Sequence, residues 1–252
     1  MINLLRSESI KLRTVTMNWV LGTIALAFPI VITLITAFVR GDDNDFTTDQ
    51  LLETLTGTSF ITVILVAVVA AASITSEFGF GTIRPTFAAT PRRLRVITAK
   101  ALVQLEFGLS VQIGVVVMGV VAGTAIAEGR GSTIDLADSP NAMPALVGTV
   151  VLAAIMSLVG LGIGMILRST PAAVALLILW PLMAEGLLGS LLNLVFDSEE
   201  PLRWMPFRAG FRIAQLNIID DGPSRLASGL YFGAVSLALV AFGSWLVNRR
   251  DA

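Results

Sequence analysis

Glu77-Phe-Gly-Phe-Gly-Thr-Ile-Arg84, continuing through Thr90-Pro-Arg-Arg-Leu-Arg95 to Lys100, separates two long apolar runs at 56–75 and 101–127. It is the densest basic stretch of the chain. Each flanking run reaches the roughly 20 mainly apolar residues that a helix needs to cross the hydrocarbon of a bilayer. With both read as spans, residues 76–100 become a charged loop, hinged by glycine, that faces one aqueous side. A membrane protein would dock a soluble partner there.

Four further segments have the same character, at 18–39, 145–167, 171–195 and 229–247, so the chain reads as an all-α membrane protein with six transmembrane helices. Composition agrees. Only 14% of the 252 residues are charged and 55% are hydrophobic, with a mean hydropathy of +0.83, whereas soluble domains carry about 25% charged residues. The stretches between spans are short for a second folded core, so the chain is expected to be a single transmembrane domain over 1–252. Residues 1–13 mix Arg6, Glu8, Lys11 and Arg13 with apolar positions and do not read as a signal peptide, which keeps the first span in the mature protein. A net charge of -1 gives no global basic field for nucleic acid. The chain has neither histidine nor cysteine, which removes imidazole and thiolate metal sites, triads built on those groups and disulfides.

Positive charge sets the orientation, because basic loops tend to remain in the cytoplasm. One side collects Arg6, Lys11, Arg13, Arg84, Arg92, Arg93, Arg95, Lys100, Arg168, Arg249 and Arg250, while the other mixes its arginines with carboxylates such as Asp49, Glu53, Glu128 and Asp135. Both termini and the 76–100 loop are therefore expected inside the cell, in agreement with an even number of spans. Residues 1–16 are expected to form an interfacial helix with Leu4, Leu5, Leu12 and Val15 on one face, although Glu8 interrupts that stripe. Arg168-Ser-Thr170 implies a tight hairpin between the fourth and fifth spans. Residues 196–228 alternate charges with apolar clusters, with breaks expected at Pro206, Gly210 and Asp221-Gly-Pro223. Short re-entrant helices and an extracellular interfacial loop both fit that pattern.

The chain has no means of binding nucleotide through a P-loop, because its only lysines, Lys11 and Lys100, are followed by Leu12 and Ala101. Gly160-Leu-Gly-Ile-Gly164 lies inside an apolar span and signals close helix packing, and Gly119 and Gly123 repeat the spacing. Glu106, about two turns into the third span, is expected to reach the interface or to pair with Lys100 or an arginine. Glu185 lies deeper, roughly 20 Å along its helix from Pro171, beside Pro181, which can free a carbonyl and widen the backbone. It is a candidate either for the lining of a polar cavity or for hydrogen bonding within the bundle. In the loop, Gly79 and Gly81 permit sharp turns, Pro85 and Pro91 interrupt any continuous helix, and Thr90 is expected to cap a restarted helix carrying Arg92, Arg93 and Arg95. One short element remains between 81 and 89.

Ile74-Thr-Ser-Glu-Phe-Gly-Phe-Gly-Thr-Ile-Arg84, then Ala89-Thr-Pro-Arg-Arg-Leu-Arg95 and Lys100, resemble the cytoplasmic loop of ABC-2 type permeases, the membrane subunits of ATP-driven exporters. Ser7-Glu8, Lys11-Leu-Arg13 and Trp19 are similar to the segment those permeases carry before their first span, and Arg249-Arg-Asp-Ala252 to their usual ending. The resemblance implies a multi-pass, non-catalytic subunit of a bacterial-type plasma membrane that pairs with a second permease, identical or related. It also implies separate cytoplasmic ATPase subunits that carry the ATP and Mg, with no cofactor on this chain. The loop would be a coupling helix resting on the ATPase through Glu77, Gly79, Gly81, Thr82, Arg84, Pro91, Arg92 and Arg93, and Glu185 would belong to the translocation path. The expected cargo is hydrophobic or amphipathic: a drug, a peptide or a lipid. An ion-gradient transporter and an integral membrane enzyme are the competing readings. The first would need paired intramembrane charges or broken helices in matching repeats, and the second clustered catalytic groups.

Overall fold

The structure is a computed structural model that describes residues 1–41, 46–90, 92–197, 200–218 and 222–249. Among the described residues there is no strand, and six helices are long and apolar enough to cross a membrane. Helix α1 spans Ile2–Thr14, and the first two crossing helices are α2, Thr16–Arg40, and α3, Thr48–Gly79. After a short helix α4, Ile83–Ala89, come α5, Arg93–Gly129, and α6, Ala142–Leu167. The fifth crossing element is composite: α7, Thr170–Leu179, a π-helical turn at Trp180–Ala184, and α8, Glu185–Phe196. Helices α9, Glu200–Arg203, and α10, Pro206–Arg212, precede α11, Arg225–Arg249. The π turn falls at Pro181, where the missing amide removes one rung of the ladder.

Helices α3 and α5 run well past the apolar windows that announce them. A reciprocal capping box opens α3, with Thr47 accepting from the Gln50 amide and the Gln50 side chain accepting from the Thr47 amide. The added turns bury Leu51, Leu52 and Leu55 against Ala37, Val115, Ala127 and Leu146. Packing therefore extends the helix where hydropathy alone would end it. The expected hairpin is present: α6 stops at Arg168 in the left-handed region (φ 53°) and α7 starts at Thr170.

Helices α3 and α6 form the central pillar, with 67% of their apolar windows buried against 22–33% for the other four crossing helices. Lipid chains are as apolar as leucine, so helices associate in a bilayer through close van der Waals contact, and small residues set how close they come. Gly160 of α6 presses directly on α3, where an added Cβ would land on the carbonyl oxygen of Ala67. One turn on, a Cβ at Gly164 would stand 2.9 Å from the Ala71 carbonyl oxygen. Gly162 faces the other way, toward the α11 backbone at Leu239 and Val240. Gly119 and Gly123 of α5 accept Leu55 and Leu51 side chains rather than backbone.

Both terminal helices meet at one end of the bundle, where Arg93 donates to the Val247 carbonyl and Lys100 reaches Glu8. This end carries Arg6, Arg13, Arg84, Arg92 and Arg95 and is called the basic end. At the far end, Thr48 both donates to the Asp135 carbonyl and accepts from its amide, which ties the connection before α6 to the start of α3. Helix α10 and the residues after it fold back among the outer parts of α3, α6 and α11, with Phe207, Ala209, Ile213, Ala214 and Leu216 buried. Pro206 opens α10 as expected, but Gly210 does not break it; that glycine sits mid-helix with the Phe232 ring stacked where a side chain would be.

Gly160→Ala is therefore expected to force α3 and α6 apart, lowering stability by about 1–3 kcal/mol. Gly57→Ala on the same pillar, where a Cβ meets nothing within 4 Å, is expected to be neutral or slightly stabilising. Thermal unfolding of both variants in detergent checks the contrast.

Candidate functional site

Helix α1 turns into α2 through Val15, which is extended at φ -83° and ψ 114°. That elbow exposes carbonyls at the end of α1, and α2 satisfies two of them: Asn18 donates to Leu12 at 3.0 Å and Trp19 to Arg13 at 2.6 Å. The corner orients α1 so that Glu8, the residue that interrupts its apolar stripe, faces the bundle and is buried. It arrives beside Glu77 of α3 and Lys100 of α5.

The chain's two lysines bridge the two glutamates in a closed ring. Lys100 Nζ stands 2.5 Å from Glu8 Oε2 and 3.0 Å from Glu77 Oε1, and Lys11 Nζ stands 2.8 Å from Glu8 Oε1 and 2.8 Å from Glu77 Oε1. Lys100, only 1% exposed, also donates to the Ser73 carbonyl. Two positive and two negative charges leave the ring neutral. Desolvating four ions is costly, so such a cluster holds only while every member keeps its partners, and losing one member costs more than the intact ring contributes. Lys100 is engaged here, and the expected pairing of Glu106 with it is not made; the acid on α1 and the acid closing α3 take the lysine first. Glu77 Oε2 and the Gln104 side-chain oxygen are buried without a hydrogen bond. Glu77 and Gln104 line a cavity of about 480 Å³ with Ser73, Thr82, Thr86 and Thr170, polar and roomy enough for water.

Burial pushes the Glu8 carboxyl up, but Lys100 and Lys11 outweigh it and hold that group below the usual carboxylate range. Burial also pulls the Lys11 ammonium down, but its hydrogen bonds to Glu77 and Glu8 outweigh that and hold it above the usual lysine value. Charge on α1 is thus retained throughout the neutral range.

From Glu77 the chain leaves α3 at Gly79, turns through Gly81 at φ +69° and enters α4. Gly79 and Gly81 both face open space, so the left-handed turn rather than crowding calls for glycine at 81. Thr82 stands at the start of α4, its hydroxyl 3.5 Å from the Glu77 carbonyl. The inner face of α4, Ile83 and Phe87, packs with Ile74, Val96, Met165 and Val247. Arg84 and, beyond the turn, Arg92 are exposed. Arg93 is held, its Cζ 5.2 Å from the Phe87 ring centre and Nη1 donating to Val247 at 3.0 Å. Phe80 is 84% exposed at the tip of the turn. Pro85 lies in the first turn of α4, where an amide has no helical partner, and does not interrupt it. Thr90 is extended and ends α4, as expected of a residue before proline, and α5 begins only at Arg93, with Arg92 at the N-cap position and no side-chain cap, so the expected cap at Thr90 is not made. Pro91 and residues 250–252 lie outside the described residues.

Glu185 sits apart from this cluster. Its Oε1 accepts the Phe207 amide and its Oε2 the Arg208 amide, each at 2.8 Å, so one carboxylate covers the start of α10. At the other end Arg225 donates to the carbonyls of Ile213, Gln215 and Leu216. Anion at the N-terminus and cation at the C-terminus match the dipole of a helix too short to stand alone. The structure thus gathers Glu77, Gly79, Gly81, Thr82, Arg84, Arg92 and Arg93 at one end and sets Glu185 in the α10 clamp. Glu8, Lys11 and Lys100 complete the charged end. Their one sequence signal is Glu8 itself, a charge on the face that must be buried.

A family model described as "ABC-2 family transporter protein" matches residues 4–183, which take in most of α1, the charged ring, α4 and most of the π turn. No curated protein matches the chain. Glu185, α10 and α11 lie beyond the matched stretch.

Lys100→Met, which leaves two buried carboxylates sharing one half-exposed lysine, is expected to cost about 3–5 kcal/mol. Lys11→Met, at 40% side-chain exposure, should cost about 1 kcal/mol; chemical denaturation in detergent measures both. The pH response of α1 follows from Glu8 and Lys11. The Glu8 contribution is present above the ordinary glutamate value and is lost as pH falls through its depressed one. The Lys11 contribution is present below the ordinary lysine value and is lost as pH rises through its elevated one. A spin label on Ser7→Cys, unique because the chain has no cysteine, should stay immobile from roughly pH 5 to pH 10 and loosen on either side.

Proposed function

The chain belongs to the ABC-2 transporter family, and from that premise we propose that it is the membrane-spanning subunit of an ATP-driven exporter. ATP and Mg are bound and hydrolysed on separate ATPase subunits, which fits a chain whose two lysines lack the P-loop context. The basic end faces the cytoplasm, as the distribution of arginine favours. A second permease, identical or related, completes the membrane part. The cargo is a hydrophobic or amphipathic molecule such as a drug, peptide or lipid.

The observation that carries this reading is how α4 is mounted. Its inner face is keyed into α3, α5, α6 and α11 through Ile83 and Phe87, while Phe80 and Arg84 project outward. An aromatic ring and an arginine displayed together are favoured anchors for a protein partner. A partner that moves α4 moves the ends of α3 and α5, to which α4 is joined by turns of only a few residues. Gly79, Gly81 and Thr82 shape the turn, Arg92 adds a second exposed cation, and Arg93 clasps α4 to α11; Pro91 belongs to the same segment by sequence. Glu77 links the same turn to α1 through the charged ring. At the far end, α10 and residues 213–216 re-enter the membrane and close the route, and Glu185 borders that route as the group that holds the closure in place.

With the ATPase co-expressed, the wild-type chain should bring it down in mild detergent and stimulate ATP turnover in proteoliposomes. Phe80→Ser combined with Arg84→Ala should weaken that assembly about tenfold or more without changing thermal stability or membrane insertion. Failure of the wild-type chain to recruit any nucleotide-binding subunit would sink the exporter reading, and unaltered assembly of the double variant would remove α4 from the interface.

A further inference from the structure

Glu106 is an exposed carboxylate inside a crossing helix. Among the described residues it makes no hydrogen bond or ion pair, and Lys100, its nearest basic neighbour in sequence, is committed to Glu8 and Glu77. A carboxylate exposed on a crossing helix favours a partner that brings it positive charge or N–H donors. The α1–α2 elbow supplies a place for that partner. Between the elbow and α5 lies a groove of about 280 Å³, lined by Leu12, Trp19, Leu26 and Phe107, to which α1 contributes Arg13 and α5 contributes Glu106. Gly22 leaves room for the Phe107 ring, whose edge lies 3.1 Å from where a Cβ would stand. Arg13 is exposed and, like Glu106, forms no ion pair among the described residues. The groove therefore presents one unmatched cation, one unmatched anion and an apolar floor.

We propose that this groove binds a zwitterionic phospholipid with a primary amine, of the phosphatidylethanolamine type, its phosphate on Arg13 and its ammonium on Glu106. Three features select that chemistry. An unpaired arginine suits phosphate, which its planar fork can grip with two hydrogen bonds. An unpaired carboxylate suits a group that donates N–H bonds, which a primary ammonium does and a trimethylammonium does not. Depth agrees as well: side chains on a helix lean toward its N-terminus, so Glu106 reaches back along α5 toward Arg93 and the headgroup layer at the basic end, while Arg13 belongs to the helix that lies in that layer. Acyl chains would then run outward over Leu26 and Val111. A second copy of the chain could instead bring an arginine to Glu106, and the same experiment separates the two.

Full-length protein, delipidated in detergent, is offered phosphatidylethanolamine, its N-methyl and N,N-dimethyl forms, phosphatidylcholine and phosphatidylglycerol, and retained lipid is counted by native mass spectrometry. The wild-type chain should hold one phosphatidylethanolamine about tenfold more tightly than phosphatidylcholine or phosphatidylglycerol, with binding falling at each methylation. Glu106→Gln should abolish the preference, and Arg13→Gln should weaken every phospholipid alike. Because Glu106 has no hydrogen-bond or ion-pair partner among the described residues, its glutamine variant should melt no lower than wild type without lipid. Equal retention of all headgroups by the wild type, or an undiminished preference in Glu106→Gln, overturns the proposal. So does a Glu106→Gln variant that changes oligomeric state without lipid, which would assign Glu106 to a second copy.

Discussion

The backbone contact between α3 and α6 is the constraint on which both ends of this molecule depend. Water drives soluble helices together, but within a bilayer the partners of a helix are lipid and protein of similar polarity, so only unusually close fit selects protein. Gly160 and Gly164 provide that fit against Ala67 and Ala71. Helix α3 then serves as a common reference, carrying Glu77 at its basic end and Thr48 at the far end. Anything that displaced the pillar would shift the charged ring and the α10 clamp together.

Charge is used in the same way at both ends despite very different settings. In the ring, Glu8, Lys11, Glu77 and Lys100 pair with one another and sum to zero. Around α10, Glu185 meets amides and Arg225 meets carbonyls, so the compensating partner is the backbone. Both solve one problem: a short or interfacial helix has too little apolar surface to fix its own position, and directional electrostatics in a low-dielectric setting fixes it instead.

How much of this is legible in the sequence follows from the range of each interaction. The six spans can be read from hydropathy because length and apolarity are local properties, and the hairpin at Arg168 because it is three residues long. The glycine run of α6 announces close packing, though not its partner. The ring joins positions 8, 77 and 100, and nothing local pairs them; Glu8 on an apolar stripe signals that a partner exists without saying where. Glu185 has the opposite difficulty: its partners are backbone amides, which every residue has, so no sequence pattern marks Phe207 and Arg208 as their source. The start of α5 differs from expectation: Thr90-Pro91 offers a cap by composition, but α5 begins only at Arg93, three residues past Thr90, which is out of a capping side chain's reach.

The connectivity of the ring bears on how α1 could respond to movement of α4. Each lysine contacts both glutamates, and the three helices involved each supply at least one member: Glu8 and Lys11 from α1, Glu77 from α3, Lys100 from α5. A simple pair between two helices must break when they slide, exposing two uncompensated buried charges. In a closed ring a displacement of α3 can lengthen one contact of Glu77 while the other persists, and Lys11, partly exposed, can exchange a carboxylate for water. The barrier to sliding is therefore spread over several weakened contacts instead of one broken pair. Under the proposed coupling, α1 would follow α3 and α5 as α4 is displaced, and the elbow at Val15, held by Asn18 and Trp19, would pass that movement to α2.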